Sequence, residues 1–232
     1  MKKKLNNKYT GWELEHFDNS KNYRNYQYSL IKKHIKKNTA EIGPGNGKNL
    51  NLYLKDATKI KLYEPQKKLF ENLKKKFRKN KKISIFNQKF KLEKNTFDTI
   101  IYLDVLEHIK NDQEEILKSF KSLKKGGNLI INVPAFPHLY SKFDNDVGHY
   151  RRYNYKMLVN LTKKIKFSSL RTLHFDSIGY FLSLISKIFS SDYKKNFALK
   201  IKFWDSLIFL SKFIDKITMN SFGKSLLIII TK

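Results

Sequence analysis

The chain has no cysteine. Disulfides, thiolate metal sites and any mechanism with a cysteine nucleophile are therefore excluded. Its 6 histidines are scattered, without the H-x-x-x-H spacing of paired ligands, so metal dependence is not indicated. Acidic residues are scarce too, 20 against 48 lysines and arginines, which leaves a formal charge of +28. Such a charge invites a nucleic-acid reading. Against it, arginine, the better bidentate phosphate ligand, occurs only at Arg24, Arg78, Arg151, Arg152 and Arg171. Lysine runs along the whole chain beside abundant Asn and Ile, as AT-rich coding produces, and reads as a solvated coat. Nucleic acid is not the expected partner; a membrane surface or a phosphorylated substrate stays open. No apolar run reaches the roughly 18 residues of a membrane span. "MKKKL" is followed by polar "NNKYTGWELEH" where a signal peptide would have its apolar core. A cytoplasmic location is expected, with peripheral attachment to a membrane left open.

At 232 residues, 41% of them hydrophobic, the chain suits a single domain around one core. From about Ser20 to Lys37 the apolar residues fall at helical spacing. Short β-like runs follow, "NTAEIG", "KIKLYEP", "ISIF", "FDTIIYL" and "NLIINVPA". Among them lie the helical "LNLYLKDA", "QKKLFENLKKKFRKN" and "DQEEILKSFKSLKKGG", the last stopped by glycines. After "VPAFP" comes a long polar loop, "HLYSKFDNDVGHYRRYN", then a helix at about 155–164 and a sixth strand in "FSSLRTLHF". Two apolar helical stretches joined by "SSDYKKN" occupy 177–217, and "KSLLIIIT" closes as a strand expected to lie antiparallel beside the sixth. The pattern implies a doubly wound α/β domain: a mostly parallel seven-stranded sheet with helices on both faces and a helical insertion before an antiparallel last strand. Ligands on such sheets bind beyond the carboxyl ends of the strands.

Glycine is in short supply, 9 residues, yet three stand on alternate positions in "AEIGPGNGKNL", behind Glu41. Gly43, Gly45 and Gly47 let a backbone approach a ligand closely, with free N–H groups at the helix start behind them. A tight turn with no ligand is the other reading. Glu64 ends the second strand 17 residues after Gly47, where a carboxylate can accept both hydroxyls of a ribose; an ordinary glutamate before a proline turn is its alternative. G-P-G-N-G-K lacks the G-x-G-x-x-G of dinucleotide binders and the G-K-[ST] of a P-loop, since Asn49 follows Lys48. A ligand with ribose but no pyrophosphate fits best.

At these residues the chain resembles the class I S-adenosylmethionine-dependent methyltransferases. "EIGPGNG" is similar to their glycine motif, "LYEP" to their ribose-binding acidic position, "FDTIIYLDVLEHI" to their fourth strand and turn, and "LKKGGNLIINVP" to the following helix and strand. The likeness spans roughly 38–135, with "GKSLLIIITK" as the usual final strand. It implies a cap at 1–37, a cofactor-binding core at 38–135, a substrate loop and helix at 136–165, an apolar helical insertion at 177–217 and a final strand at 225–232. By this resemblance Glu41 and the three glycines shape the methionine side of the pocket, Glu64 holds the ribose, and Pro65 and Gln66 line the adenine edge. Many relatives carry an acidic residue after the third strand; here Asn87 and Gln88 stand there, and an amide oxygen can still accept from the adenine amine. Leu103 and Asp104 are placed beside the methionine portion. Tyr23 and Arg24 reach the cofactor from the N-terminal helix, or simply pack.

The flanks, with "FDNDVGHYRRYN", resemble small-molecule methyltransferases of glycan, lipid or secondary-metabolite pathways. Transfer to O or N of such an acceptor needs alignment, exclusion of water and, for a protonated acceptor, a base. His149 is the expected base, with His108, His138, Tyr140 and Tyr150 as further acceptor-side residues. Asp104 orients the acceptor or the cofactor amine. Arg151 and Arg152 bind a carboxylate or phosphate, or else form salt bridges to Asp144 or Asp146. The segment 177–217 is a cap, a dimer contact or a lipid-facing surface, in a monomer or homodimer. Rival readings are an RNA or protein methyltransferase using the basic surface, and a non-catalytic cofactor-binding module. The missing cysteine excludes C5-pyrimidine methylation, and "LDVLEH" replaces the Pro-Pro turn of amino-methylating DNA enzymes.

Overall fold

Runs of β-branched and aliphatic residues form the strands, and the most apolar of them lie deepest. In a computed structural model, describing residues 11–189 and 194–232, seven strands hydrogen-bond in the order 3-2-1-4-5-7-6. They are β1 (Asn38–Ile42), β2 (Lys59–Tyr63), β3 (Ile83–Phe86), β4 (Phe97–Leu103), β5 (Leu123–Pro134), β6 (Ser169–Phe175) and β7 (Ser225–Thr231). β7 is antiparallel to both β5 and β6, so the other six strands share one direction. The first ten residues of the expected cap and the first four of "SSDYKKN" lie outside the described residues.

Each central strand is buried on both faces, which is why it reads as a continuous apolar run. Along β7, Leu227 and Ile229 pack on one face with Ile101 and Ile130, while Leu226, Ile228 and Ile230 pack on the other with Ile100 and Leu129. Helix α2 (Lys21–Ile31) covers the first face through Tyr26 and Ile31. Helix α5 (Asp112–Ser122) covers the second through Ile116 and Phe120.

Several boundaries differ from the sequence reading. The helix expected over "LNLYLKDA" shrinks to one turn, Leu50–Tyr53. "LKKGG" belongs to β5, not to α5: Leu123 pairs with Phe97, and the register then shifts. The two glycines serve that irregularity. Gly126 has φ +73°, and a Cβ on Gly127 would come within 2.9 Å of the Lys124 carbonyl oxygen. The polar loop after β5 contains a short helix, Lys142–Asp146, started by a capping box between Ser141 and Asp144.

The insertion is three helices, not two: Ser177–Phe189, Phe197–Ser206 and Ile208–Ile217, the last two divided at Leu207. No described helix is long and apolar enough to cross a membrane. Buried carboxylates fasten the insertion to the core. Asp215, fully buried, accepts from the Tyr26 hydroxyl at 2.9 Å and from the N–H groups of Asp176 and Ser177 at 2.7 and 3.0 Å. Asp205 accepts the N–H groups of Asn22 and Tyr23, which α2 leaves without partners in its first turn. Asp176 accepts from the Gly179 N–H, the Trp204 indole and the Ser211 hydroxyl.

Removing one such carboxylate leaves buried donors unsatisfied. Asp215→Ala is expected to lower the unfolding free energy by about 3 kcal/mol, and Asp215→Asn by less, in urea denaturation. Wild-type stability of the alanine variant would contradict the anchoring role.

Candidate active site

The chain winds β1–β3 to one side and β4–β5 to the other, so a crevice forms where β1 and β4 part. A cleft of about 860 Å³ opens there. Its floor is the glycine loop. Gly43, Gly45 and Gly47 have φ of +64°, +56° and +65°, a region that strains any residue with a Cβ. Space adds a second constraint. A Cβ on Gly43 would meet the Val105 methyl groups at 2.9 and 3.0 Å. One on Gly47 would strike Leu73 at 2.7 Å and Phe77 at 2.8 Å. Gly47 thus admits the helix Lys67–Phe77 beneath the loop and does not line the cleft, whereas Gly43 and Gly45 do.

At one end of the cleft Glu64 is 4% exposed, and its two oxygens accept the N–H groups of Gly45 at 3.2 Å and Gln66 at 2.9 Å. Burial raises its pKa, and the two amide donors oppose that rise. Pro65 and Gln66 line the same end. Asn87 and Gln88 do not. The Asn87 amide donates to the Glu64 and Pro65 carbonyls at 2.9 and 3.2 Å and so braces the turn from outside.

Beneath the loop Glu41, 2% exposed, accepts from the Tyr53 hydroxyl. Burial pushes its carboxyl up to about 7, against the pull of Tyr53 and Arg24. The helix Leu14–Phe17 and the start of α2 close over the loop. Arg24 donates to Asn49 Oδ1 at 2.8 Å and to the Phe17 carbonyl at 2.7 Å, and Asn46 donates to Asp18 at 2.8 Å. Arg24 lines the cleft with its buried Nε unpartnered. Tyr23 also lines it, its hydroxyl 2.9 Å from Ser225 Oγ and its ring stacked on Phe175.

Asp104 follows β4 with φ +57°, an uncommon conformation for a side-chain-bearing residue. Asn132 on β5 holds it twice: the Asp104 N–H donates to the Asn132 carbonyl at 2.9 Å, and the Asn132 amide donates to Asp104 Oδ1 at 2.8 Å. Leu103 and Asp104 both line the middle of the cleft.

The other end is built on Asp144, which is fully buried. It accepts from His149 Nδ1 at 2.8 Å, from Arg152 Nε at 2.8 Å and from the Ser141 N–H at 2.9 Å. Burial alone would raise its pKa, but His149 and Arg152 outweigh it and hold the carboxyl at about 2. His149 Nε2 lies 3.8 Å from Glu107 Oε1. Glu107 is 1% exposed, and neither carboxylate oxygen has a hydrogen-bond partner. Burial and the neighbouring Asp104 drive its pKa well up. Burial pushes His108 down to about 3. Glu107, His108 and His149 each place a ligand atom within 4.8 Å of the others, which gives this group the reach to hold a cation.

Of the expected acceptor-side residues, His108, His149, Tyr150 and Arg152 line the cleft, and His138, Tyr140 and Arg151 do not. His138 pairs with Tyr180 at 3.3 Å. The Tyr140 hydroxyl donates to the His149 carbonyl at 2.7 Å, bracing the loop from behind. Arg151 pairs with Asp112, a partner the sequence reading did not consider, while Arg152 takes the salt bridge to Asp144 that it did. Glu107, Asn132 and Lys224, which also bear on this site, were passed over. Glu107 stood inside the quoted "LDVLEHI", but nothing in its spacing marks an orphaned buried carboxyl.

The methyltransferase-domain family matches residues 14–174, and the chain belongs to it. No curated protein matches the chain in sequence. Among solved structures it is similar to Haemonchus contortus phosphoethanolamine N-methyltransferase 2 bound to S-adenosyl-L-methionine, with TM-score 0.63 and 16% identity over 90% of this chain and 52% of that one. The chain therefore spans about half the length of that enzyme. It also resembles a SAM-dependent methyltransferase from Archaeoglobus fulgidus, with TM-score 0.59 and 14% identity over 95% of this chain and 100% of the other. A third likeness is to a SAM-dependent methyltransferase of Leishmania major, with TM-score 0.55 and 16% identity over 96% and 74% of the two chains.

The raised pKa of Glu41 has a sign that can be measured. The folded chain keeps this proton up to about pH 7, while an unfolded glutamate loses it near 4.5, so folded stability falls as pH rises through that window. Glu41→Gln should match wild type near pH 5 and exceed it by about 2 kcal/mol near pH 8 in chemical denaturation. A difference independent of pH would remove the assignment.

Proposed function

We propose that the chain transfers the methyl group of S-adenosylmethionine to an O or N atom of a small acceptor by in-line displacement. The observation that carries this reading is the single cleft with a ribose-type carboxylate at one end and a carboxylate-held histidine at the other. Both Glu64 oxygens are pinned by backbone donors, yet each keeps a lone pair for a hydroxyl. Gly43 and Gly45 leave room that a Cβ would fill, and Arg24 and Tyr23 roof the same end. These features fit the donor, as do the family and the bound S-adenosylmethionine of the Haemonchus enzyme. When bound, the donor supplies an electrophilic methyl on a sulfonium.

The protein's own part is to orient, exclude water and move a proton. Asp144 fixes the His149 tautomer with the proton on Nδ1, so that Nε2 is free to accept one from the acceptor. Asp104, clamped by Asn132, orients an amine or hydroxyl midway along the cleft. Arg152 lines the acceptor end with Nη1 buried and unpartnered, which supports an acceptor bearing an oxygen anion such as carboxylate or phosphate. In this reading the chemistry needs no metal.

Glu64→Ala is expected to weaken S-adenosylmethionine binding by about tenfold or more in isothermal titration, with an unchanged circular dichroism spectrum. Unchanged affinity would refute the ribose role. Cell-extract fractions incubated with labelled donor give the acceptor. With it, His149→Ala should lower kcat by about 100-fold while donor affinity stays within about threefold. Wild-type activity in this protein treated with chelator completes the test. Full activity of the variant would remove His149 as base, and loss on chelation would move Glu107, His108 and His149 into a cation site.

A further inference from the structure

Helices α8 (Ser177–Phe189), α9 (Phe197–Ser206) and α10 (Ile208–Ile217) bury one side against the core and expose large apolar residues on the other. The buried side carries polar anchors beside apolar Ile201, Trp204 and Ile208. Asp205 and Asp215 are buried against the main-chain donors of other segments, and Ser211 is fully buried against Asp176. Other large apolar residues point outward. On α10, Phe209, Phe213 and Ile217 recur every fourth residue at 65%, 65% and 64% exposure. On α9, Leu199 and Phe203 are 65% and 57% exposed at the same spacing. On α8, Phe181, Ile185 and Ile188 follow suit. α8 and α10 pack side by side, and α9 touches both, so the three stripes lie on neighbouring helices.

Charge decides what covers this surface. Lys202, Lys212 and Lys216 are exposed beside Phe203, Phe213 and Ile217. The only acidic residues among the described positions of 177–217 are Asp205 and Asp215, both buried, so among those positions no exposed carboxylate balances these lysines. A second copy would bring the same lysines and a further +28 charge against them. An anionic lipid surface supplies the complement of both features, acyl chains for the aromatics and phosphates for the ammonium groups.

We propose that α8–α10 form a docking face for an anionic bilayer, on which the protein lies without crossing. α9 joins that face to the cleft. Trp204 lines the cleft, and Phe197 stacks at 5.7 Å on Phe143, which lines it too, while Leu199 and Phe203 on the same helix face out. Docking therefore sets the cleft beside the headgroup layer. The inference stands independently of the methyl-transfer reading.

Sedimentation with vesicles of phosphatidylcholine, with and without about 30% phosphatidylglycerol, tests it at low and high salt. Wild type is expected to sediment with the anionic vesicles at low salt and to be released by salt or by omitting the anionic lipid. The triple variant F203S/F209S/F213S should lose about tenfold or more in partitioning, and K202E/K216E should lose the anionic preference, with melting temperature and S-adenosylmethionine affinity unchanged in both. These side chains are exposed, so the variants keep the core intact. No wild-type binding at low salt, or undiminished binding of the triple variant, would overturn the proposal. So would a concentration-dependent dimer in sedimentation velocity that the triple variant abolishes, since the face would then belong to a second copy.

Discussion

A buried carboxylate is costly unless enough donors surround it, and Asp144 is where this chain meets that condition for the loop after β5. Its two oxygens collect the Ser141 N–H and hydroxyl, one nitrogen of His149 and one of Arg152. The cluster gathers residues eleven positions apart, from Ser141 to Arg152, around one buried point. A polar, glycine-containing stretch with little core of its own thereby acquires a fixed shape. The same bonds select the His149 tautomer and commit only part of Arg152, leaving Nη1 available to the cleft. Without Asp144 the loop would still be tied by Tyr140, which holds the His149 carbonyl, and by Arg151, which pairs with Asp112.

The donor end depends on a different device, backbone geometry. Glu64 does not stand free at the end of β2. It is drawn across to the glycine loop by the Gly45 N–H, and the loop can present that N–H because Gly43 and Gly45 occupy the left-handed region. Gly47 plays another part, clearing space for Leu73 and Phe77. One motif thus combines two roles that a sequence pattern cannot separate: a left-handed turn lining the cleft at two glycines and helix packing at the third. The roof over this end is long-range in the chain. Asp205, near the C-terminus, accepts from the first turn of α2, and α2 in turn carries Tyr23 and Arg24 into the cleft. The insertion and the donor end are mechanically connected for that reason.

Strand number, direction and the fate of "KSLLIIIT" were legible because sheet burial on two faces writes uninterrupted apolar runs. Glycine spacing and Glu64 were legible because they are local. What the sequence hid was pairing at a distance. The partner of Arg151 is Asp112, 39 residues away, and no periodicity links them. Glutamates are usually exposed, and nothing local marks Glu107 as buried; the turn after β4 meets the loop after β5 there, where the Tyr150 N–H donates to the Glu107 carbonyl at 2.8 Å. "LKKGG" reads as a helix end because glycine ends helices, yet here the same property permits a strand irregularity, and pairing with β4 decides between the two.

The insertion joins these themes. Its helical spacing was visible in the sequence, but spacing alone does not say which side faces in. The three aspartates supply that orientation. Asp176, Asp205 and Asp215 accept hydrogen bonds from main-chain N–H groups within the fold, and each bond fixes a helix face toward the core. Once those faces are committed, Phe181, Phe203, Phe209 and Phe213 stand on the outer side. The exposed apolar surface is thus a consequence of specific polar anchoring and not of loose packing. The insertion is held inward by carboxylates together with Ile201, Trp204 and Ile208, and its outer side combines exposed phenylalanines with lysines.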